Sequence, residues 1–415
     1  MHLNPPVLSV MKKETILVAS FQSLTANSAA AIGHLGYKLS EEFQVRDCLK
    51  AFVVSSKGKF NSTFPSRPVS PLSKYYLYLI NNFAKGVAPH KSRYIQEYLY
   101  DLFCAFHLDK TITKLVVTTP YLFRTFRKAK KLGISVYFIP GNPEDNYIAE
   151  IVKEENDRYT LREDDAYTYK RRLDYYNRSL RQVDRIVTFS SVIQSSYEAA
   201  GYGHKIMNVR GYLKPEIPTR QLNVPSNDKV FKVSFLAYAV LLKGLQYVLE
   251  AWKELQNEDM ELHIGGVIDK NVQEIINSEY SGLKNVFYHG KITDVHSFFA
   301  DKSVYILPSL IDGAPVTVLE AMQNGVPPIV SENCGTKDIL EEGETGWIVP
   351  IRSAECIKSK VLEAFQAREQ TKLMGKRAHQ RISGYDMNNF AKELADNILR
   401  DDQAGESKCV KSSLT

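Results

Sequence analysis

Cysteine is scarce in this chain and is scattered along it. The 415 residues include five cysteines, Cys48, Cys104, Cys334, Cys356 and Cys409, an odd number without the short spacings of a zinc site. This pattern offers no disulfide framework and suits a reducing compartment. We therefore expect a cytoplasmic protein without structural disulfides or structural zinc.

Long apolar runs and a strong charge of one sign are also lacking. No stretch approaches the roughly 20 consecutive apolar residues that a membrane-spanning helix needs. The start, MHLNPPVLSV, has no basic region followed by a long apolar stretch, so no signal peptide is indicated, and we expect residues 1–13 to be a flexible extension. The net charge is only +6 and no nucleic-acid module is recognisable, so nucleic acid is not an expected partner.

Two familiar ligand-binding motifs are absent. No Gly-x-Gly-x-x-Gly follows a predicted strand, so a standard dinucleotide site is not indicated. No Asp-x-Asp triplet occurs, which argues against a diphosphate held through a bridging metal ion. We expect neither a metal ion nor a resident cofactor.

What the sequence does contain is a regular alternation of apolar strands and amphipathic helices, which predicts parallel sheets with helices on both faces. The predicted strands are 15–20, 49–55, 114–119, 134–139, 185–189, 206–210, 230–236, 261–264, 286–288, 304–307 and 328–331. The predicted helices are 23–42, 73–84, 92–107, 122–132, 243–254 and 387–399. The composition, 44% hydrophobic and 24% charged, is that of a globular protein.

The length fits two domains of about 200 residues each. Residues 215–228 contain three prolines without apolar periodicity and are the best candidate for a linker. It would separate an N-terminal domain, 14–214, from a C-terminal domain, 229–385. A last helix, 386–400, and a polar, disordered tail, 401–415, would follow.

The most informative stretch is residues 304–350, VYILPSLIDGAPVTVLEAMQNGVPPIVSENCGTKDILEEGETGWIVP. Asp312 and Glu320 are two carboxylates separated by seven residues, and Gly313 opens the turn between them. Glu320 would lie just over one turn into a helix, close enough to accept hydrogen bonds from the ribose of a nucleotide. Asp312, on the preceding loop, could hold hydroxyl groups of a second sugar.

The start of that helix suits an anion. Pro315 fits the first helical position, where a missing N–H costs nothing. The N–H groups of Val316 and Thr317 would then lie at a helix N-terminus, which attracts phosphate. One strand–loop–helix unit could thus bind a nucleotide-sugar at its phosphate, its ribose and its transferred sugar. The alternative is an ordinary buried strand–helix unit with two solvated acids.

This stretch resembles the nucleotide-sugar site of retaining glycosyltransferases of the GT-B fold, family 4 in particular. Their acidic-x7-Glu signature is followed by Ala-Met, a Gly-x-Pro and a strand, which here are Asp312, Glu320 with residues 321–322, residues 325–327 and residues 328–331. The resemblance implies two Rossmann-like, doubly wound domains that face each other across a cleft. It also implies an N-terminal acceptor domain, a C-terminal donor domain and a last helix that returns to the first domain.

Further donor residues follow from the resemblance. Lys243, predicted with Gly244 to open a helix after strand 230–236, corresponds to a lysine whose ammonium contacts the donor diphosphate. Tyr238 stands where the family usually has an arginine, so one of two expected cations is missing. Three more positions are placed near the nucleotide: Gly265, Lys291 and Ile292.

The first domain resembles the family less. Ser23 stands in a region where many relatives have a glycine-rich loop, and Gly141 and Asn142 stand where many have a histidine. We predict these three residues on the acceptor or sugar side of the cleft. Asn142 could donate to a sugar hydroxyl or to the reacting oxygen, and it could equally cap the next helix.

Basic and aromatic residues interleave in two segments of the first domain. Such faces can dock on an anionic membrane. They equally suit the solvated sides of amphipathic helices. The basic members are Arg124, Arg127, Lys128, Lys130, Lys131, Lys170, Arg171, Arg172, Arg178 and Arg181.

The resemblance implies a retaining, metal-independent hexosyltransferase that uses a UDP- or GDP-sugar and a glycan or lipid-linked acceptor. Lys243 and the helix N–H groups would stabilise the leaving diphosphate. Tyr238 and the missing histidine favour an alternative, a nucleotide-sugar-binding subunit without catalysis. A third reading is a nucleotide-sugar 2-epimerase.

Overall fold

The computed structural model describes residues 14–24, 31–57, 62–83, 87–161, 165–209, 211, 230–255 and 259–401. The predicted extension 1–13, the predicted linker 215–228 and all but the first residue of the predicted tail lie outside the described residues. The domain boundaries therefore stay a prediction.

Two sheets carry the fold, and each strand pair in the described chain is parallel. The first sheet contains β1 (Ile16–Leu24), β2 (Leu49–Lys57), β3 (Ser66–Pro68), β4 (Lys114–Val117), β5 (Ser135–Phe138), β6 (Arg185–Thr188) and β7 (Ile206–Asn208). The second contains β8 (Phe231–Leu236), β9 (Met260–Gly265), β10 (Val286–Gly290), β11 (Val304–Leu307), β12 (Pro328–Ser331) and β13 (Trp347–Val349).

Helices connect most of the strands, since a parallel pair needs a crossover connection. They are α1 (Ala31–Val45), α2 (Ser73–Phe83), α3 (Pro89–Cys104), α4 (Phe123–Leu132), α5 (Asp145–Arg158), α6 (Lys170–Leu180), α7 (Ser191–Ala199), α8 (Leu245–Leu255), α9 (Lys270–Ile275), α10 (Val295–Phe299), α11 (Val316–Gln323), α12 (Ala354–Gln366), α13 (Arg368–Ser383) and α14 (Met387–Arg400). Short 3₁₀ turns cover Ala105–His107, Gly203–Lys205, Leu241–Lys243 and Gly335–Ile339, and a π turn covers Ile276–Tyr280.

The strand order gives each sheet one topological switch point. The first sheet runs β3-β2-β1-β4-β5-β6-β7 and the second β10-β9-β8-β11-β12-β13. The order along the chain reverses between β1 and β4, and again between β8 and β11. In open parallel sheets, ligands bind at such a point, outside the carboxyl ends of the strands. The fold therefore offers two crevices.

Each sheet has its own hydrophobic core, and α14 belongs to the first although it follows the second sheet. Phe390, Leu394 and Ile398 of this helix lie in the core of the first sheet. Lys114 on β4 donates to the carbonyl of Ile398 at 2.9 Å, and it thus supplies a donor to a carbonyl in the last turn of α14.

Helix α5 joins the two halves of the molecule. It starts beside the first sheet, yet its apolar side packs into the core of the second. Glu155 on α5 is fully buried. It accepts hydrogen bonds from Gln246 Nε2 at 3.1 Å, Tyr247 Oη at 2.9 Å and Arg352 Nε at 2.7 Å. A buried carboxylate with three donors is well compensated, so this contact holds the halves in register.

Several predicted boundaries were wrong. The start of the predicted helix 23–42 was wrong, because residues 23 and 24 belong to β1, which pairs with β2 as far as Leu24 opposite Lys57. The described helix covers Ala31–Val45. The predicted helix 92–107 ends at Cys104 and continues as a 3₁₀ turn. The short edge strands β3 and β13 were not predicted from the sequence, since three residues carry too little periodicity.

Candidate functional site

The second switch point brings Lys243 and Asp312 together. Lys243 lies in the loop after β8, and Asp312 lies in the loop after β11. The N–H of Leu310 donates to the carbonyl of Leu242 at 2.8 Å, which ties the two loops to each other. Lys243 Nζ donates to Asp312 Oδ2 in an ion pair. The pair lies where the topology places a ligand.

The local conformation around Lys243 differs from the prediction. Lys243 ends a 3₁₀ turn instead of opening a helix, and α8 begins two residues later. The break is at Gly244, which has φ +75° and whose added Cβ would lie 2.2 Å from the carbonyl oxygen of Pro308. Only glycine adopts this conformation so close to another backbone without strain. The turn keeps the ammonium beside Asp312.

Two hydrogen bonds fix the backbone of Asp312. It is 8% exposed. Its N–H donates to the carbonyl of Asn333 at 3.0 Å, and its carbonyl accepts from the N–H of Gly335 at 2.9 Å. Because both backbone groups are bonded to the loop after β12, the position of the carboxylate is set by the sheet.

Helix α11 presents its N-terminus to the same crevice. Pro315 is the N-cap and not the first helical residue as predicted, so the helix begins one residue later, at Val316. No acceptor in the described chain bonds to the N–H groups of Val316 and Thr317. The Thr317 hydroxyl is turned inward, where it accepts from Tyr305 Oη at 2.8 Å. These unbonded donors make this end of the helix suited to an anion.

Glu320, one turn further, is a largely buried acid. Burial raises the pKa of its carboxyl to about 7. Within the described residues its side chain has no hydrogen-bond donor, whereas its backbone carbonyl accepts from Asn324. A buried carboxylate without donors is costly, and hydroxyl groups of a ligand would satisfy it.

The remaining donor candidates lie around the same sheet edge. Gly265 ends β9, and a Cβ there would lie 2.9 Å from Ile292 Cγ1, so these two residues are in contact. Lys291, after β10, is exposed. Tyr238 is 58% exposed, and its hydroxyl lies 3.5 Å from Asp269 Oδ2. The residue that replaces the expected arginine therefore faces solvent.

The loop after β11 also touches the first half of the molecule. A Cβ on Gly313 would lie 2.4 Å from the carbonyl oxygen of Gly141. Ser190, the N-cap of α7, donates its hydroxyl to the carbonyl of Gly313 at 2.8 Å. Gly141 on the acceptor side is thus brought directly against the donor loop.

Asn142 does not cap α5. That N-cap is Glu144, whose side chain accepts from the N–H of Tyr147 at 3.0 Å. Asn142 Nδ2 instead donates to Tyr167 Oη at 3.1 Å. It lines a cavity of about 260 Å³ at the first switch point. The capping alternative was wrong, and the side chain borders a space next to the donor loop.

Ser23 lies within β1, not in a loop after it. The hydroxyl of Ser56 on the paired strand donates to Ser23 Oγ at 2.6 Å. Ser23 borders a neighbouring, open cavity between β2, α2 and α3. It does not line the cavity of Gly141 and Asn142, although Phe21, Gln22 and Arg93 line both. The structure thus brings two of the three predicted acceptor-side residues together.

Residues 219–381 match the model of one protein family, described as glycosyl transferases group 1. This range contains Lys243, Asp312 and Glu320. This part of the chain is therefore similar to glycosyl transferases group 1, and we refer to residues 219–381 as the group 1 region.

The relatives of the chain carry related names. Over 176 residues it is 29% identical to an uncharacterized glycosyltransferase of Haemophilus influenzae, covering 40% of this chain and 47% of that protein. Over 134 residues it is 27% identical to the putative colanic acid biosynthesis glycosyltransferase WcaL of Salmonella typhimurium, covering 29% of this chain and 32% of that protein. The matches therefore span less than half the length of these curated relatives.

A solved structure extends the likeness to nearly the whole chain. The structure of Anabaena HepE in complex with UDP superposes with a TM-score of 0.63 and 13% identity, over 93% of this chain and 99% of that one. At this identity the likeness shows the fold alone. Together with the two parallel sheets it confirms the predicted GT-B fold.

The described residues of both halves of the chain contain neither a membrane-spanning helix nor a cluster of metal ligands. No helix there is long and apolar enough to cross a membrane. No group of three or more His, Cys, Asp or Glu side chains is arranged to hold a metal ion.

The basic face predicted in the first half is partly interior. Arg172 was grouped with the basic surface residues, but it is only 5% exposed. Its guanidinium lies 3.9 Å from the centre of the Tyr121 ring and donates to Glu97. Arg124 stacks 4.0 Å above Tyr98. Arg172 is thus paired inside the protein, whereas Arg124, with a side chain that is 35% exposed, is paired at the surface.

Sequence reasoning missed the contacts of α7 with the group 1 region. The N–H of Ser191 donates to Asp338 Oδ2 at 2.6 Å, beside the Ser190 contact. A Ser-Ser pair after a strand is a recognisable N-cap signal. No local sequence pattern predicts that Asp338 is the partner of Ser191, because the two residues are 147 positions apart.

Proposed function

We propose that the chain is a retaining glycosyltransferase that moves a hexose from a nucleotide-diphospho-sugar to a hydroxyl group. The supporting observation is the Lys243–Asp312 ion pair at the second switch point, next to the N-terminus of α11 and the largely buried Glu320. A cation, free N–H donors and an unsatisfied carboxylate match the diphosphate and ribose of such a donor. The match of this region to glycosyl transferases group 1 supports the same reading.

In the proposed reaction, the donor diphosphate binds between Lys243 and the N–H groups of Val316 and Thr317. Its arrival displaces the ammonium of Lys243 from Asp312, whose carboxylate is then available to sugar hydroxyls. The bond from the anomeric carbon to the diphosphate oxygen breaks, and negative charge grows on the leaving group. The lysine and the helix N-terminus stabilise that charge without a metal ion.

The acceptor hydroxyl attacks the anomeric carbon on the face that the diphosphate leaves. Its oxygen forms the new glycosidic bond, and its proton passes to an oxygen of the departing phosphate. No protein base is needed for this proton transfer. The configuration at the anomeric carbon is therefore retained.

We propose UDP as the nucleotide in preference to GDP, because HepE, which shares the fold, was solved with UDP bound. For the acceptor we propose a glycan or lipid-linked precursor, as the name of WcaL refers to colanic acid biosynthesis. A lipid-linked acceptor would place the protein at the cytoplasmic face of a membrane.

Calorimetry with UDP and a turnover assay with a panel of nucleotide sugars test the proposal. Release of free nucleotide and sugar in water, accelerated by an acceptor and insensitive to excess EDTA, is the expected result. Loss of turnover in EDTA with recovery on adding manganese would contradict the metal-free mechanism. An altered sugar on an intact donor would mark an epimerase.

A second candidate is a nucleotide-sugar-binding subunit without catalysis. It is favoured by Tyr238, which is exposed where a second cation is expected. The same assay separates the two functions, since this subunit would bind UDP tightly and never release nucleotide from any donor.

A further inference from the structure

Gln246 lies in the first turn of α8, just after the 3₁₀ turn that ends at Lys243. Its side chain is completely buried. From Nε2 it donates to the carbonyl of Leu241 at 3.0 Å and to Glu155 Oε2 at 3.1 Å. One amide group thus connects the turn that carries the lysine with helix α5, which comes from the first half of the molecule.

The orientation of this amide follows from its neighbours. Both atoms that face Nε2 are oxygens, a carbonyl and a carboxylate, and a flipped amide would place its own oxygen against them. The amide oxygen of Gln246 is buried and has no hydrogen-bond partner in the part of the chain that the structure describes. An unsatisfied buried acceptor costs stability. Packing alone therefore does not account for a glutamine at this position.

The carbonyl of Leu241 closes the turn that carries Lys243. It accepts from the N–H of Gly244 at 3.1 Å as well as from Gln246. The hydrogen-bond geometry of a 3₁₀ turn is poorer than that of an α-helix, so a second donor to this carbonyl helps to keep the conformation of the turn. Without it, the ammonium of Lys243 would be held less closely beside Asp312.

Glu155 anchors the other side of the amide. Its carboxylate is fully buried and also accepts from Tyr247 Oη at 2.9 Å and from Arg352 Nε at 2.7 Å. Because these two donors hold the carboxylate, it is fixed where Gln246 bonds to it. The amide is therefore placed by Glu155 and in turn places the carbonyl of Leu241.

The backbone of Arg352 is strained at this anchor. Its φ is +60°, a left-handed conformation that is uncommon outside glycine. Such a conformation persists where the surrounding contacts determine it. Here the guanidinium donates to two adjacent carboxylates of α5, from Nη2 to Glu154 at 2.7 Å and from Nε to Glu155. The strained residue thus serves the contact between α5 and the second half.

Helix α5 extends from the acceptor side of the cleft to this anchor. Its first residue, Asp145, lines the cavity at the first switch point, and Glu155 lies in its last turn. The chain of hydrogen bonds from Glu155 through Gln246 ends at the turn of Lys243. The place of the lysine therefore depends on both halves of the molecule and not on the second half alone.

We infer that Gln246, anchored by Glu155, is a positioning residue that holds Lys243 at the leaving diphosphate. It acts through the turn Leu241–Lys243 and not by touching the donor. The inference rests on the proposed function and adds one residue of α8 and one of α5 to the machinery of that site.

The test uses the full chain with Gln246→Met, a side chain of similar length that cannot donate. Turnover of the UDP-sugar that reacts fastest in the panel is measured well below the melting temperature. We expect kcat to fall by about 10- to 100-fold, as for a slightly misplaced catalytic group, while the KM of the donor changes little. Glu155 keeps Tyr247 and Arg352 as donors in this variant, so the fold should be maintained.

A double-mutant cycle shows whether Gln246 acts through Lys243. In a Lys243→Ala background, Gln246→Met should lower kcat by less than about twofold, since no ammonium is left to position. Equal losses in the two backgrounds would overturn the inference, because residues that act independently contribute additively to the activation free energy. A wild-type kcat in folded Gln246→Met would overturn it as well.

Arg158→Ala is the matched control. Arg158 donates to Tyr247 Oη at 2.8 Å across the same contact between α5 and α8, away from the turn. We expect a lower melting temperature with an unchanged kcat. The same fall in kcat as in Gln246→Met would assign the effect to the docking of the halves and overturn the inference. Should Gln246→Met fail to fold, Gln246→Asn keeps a buried amide that is too short to reach both acceptors, and its kcat should fall likewise.

Acetylation of lysines, measured by mass spectrometry, tests the position of Lys243 without turnover. Its side chain is 26% exposed and within reach of the reagent. Gln246→Met should raise the labelling rate of Lys243 severalfold and leave that of Lys253 on α8 unchanged. Wild-type protein that releases no nucleotide from any donor contradicts the proposed function. Unchanged labelling of Lys243 overturns the inference alone.

Discussion

The carbonyl oxygen of Gly141 lies 2.4 Å from the point that a Cβ atom on Gly313 would occupy. Gly141 follows β5 of the first sheet, and Gly313 follows β11 of the second. The two halves of the molecule therefore meet backbone to backbone at the edge of the candidate site. The hydrogen bond from Ser190 Oγ to the carbonyl of Gly313, at 2.8 Å, fixes the same approach.

Gly313→Ala should separate the halves at this point. The methyl group would also lie 3.0 Å from Ile193 Cδ1, so neither side offers space. Overpacking of this kind costs about 1–3 kcal/mol, and we expect a melting temperature lower by several degrees together with reduced turnover. Gly384→Ala, where an added Cβ meets nothing within 4 Å, is the matched control. Equal melting curves for the two variants would contradict the close approach.

Glu320→Ala should weaken UDP binding by at least tenfold. The largely buried carboxylate has no donors from the described chain, and we propose that the ribose hydroxyls supply them. Hydrogen bonds to a charged group are worth about 1.5–3 kcal/mol each, whereas an exposed acid contributes under ~0.5 kcal/mol. Calorimetry measures the change, with Glu279→Ala as the exposed control. Unchanged affinity in Glu320→Ala would rule out the ribose assignment.

The pH dependence follows from the same carboxyl. Because the folded pKa of Glu320 is raised to about 7 from 4.5, its stabilising contribution is complete below pH 4.5 and is lost as the pH rises through 7. The loss is on the order of 3 kcal/mol. Glu320→Gln should therefore gain stability relative to wild type at pH 8, measured by denaturant unfolding, and lose the advantage at pH 4.5. Below pH 7, UDP affinity should fall more steeply in wild type than in Glu320→Gln, because the terminal phosphate of UDP also gains a proton in this range and affects both proteins. Parallel stability curves for both proteins would contradict the shifted pKa.

Lys243→Ala should lower turnover about a hundred- to a thousandfold, since removing one charged donor to a developing negative charge costs about 3–4 kcal/mol. Steady-state kinetics against donor concentration separates this loss from weaker binding. Thermal unfolding must accompany the assay, because the variant leaves the buried Asp312 without its cation. Lys270→Ala, at an 86% exposed side chain, is the control. A folded Lys243→Ala with the wild-type rate would place the diphosphate elsewhere.

Tyr238→Arg should tighten UDP binding. Tyr238 is 58% exposed, so the larger side chain can be accommodated without disturbing the core. If the position corresponds to the arginine of the related enzymes, the new cation adds a second charge to the diphosphate site. Calorimetry at two salt concentrations measures the UDP affinity. We expect this affinity to depend more strongly on salt in Tyr238→Arg than in wild type. Tyr238→Phe controls for loss of the hydroxyl. Weaker binding in Tyr238→Arg would show that the position does not face the diphosphate.

Local patterns in the sequence were enough to predict the parallel sheets and the part of the candidate site that residues 304–320 form. The alternation of strands and helices predicted both sheets, and the strand 304–307 with the helix after Pro315 was found within one residue. These features depend on neighbours a few positions away, where periodicity and turn residues act. The predicted element boundaries were wrong where pairing with a strand distant in sequence sets the boundary. One example is β1, which continues beside β2 through Ser23.

By itself, the sequence determined that Asp312 and Glu320 flank the start of one helix, because seven residues of loop and helix allow few geometries. Only the tertiary structure decided that Lys243, 69 positions away, pairs with Asp312, and that Arg172 is buried against Glu97 instead of facing solvent. The order of the strands brings such residues to one switch point. Contacts across that distance depend on which sheet edges and helices pack together, and no local periodicity encodes that choice.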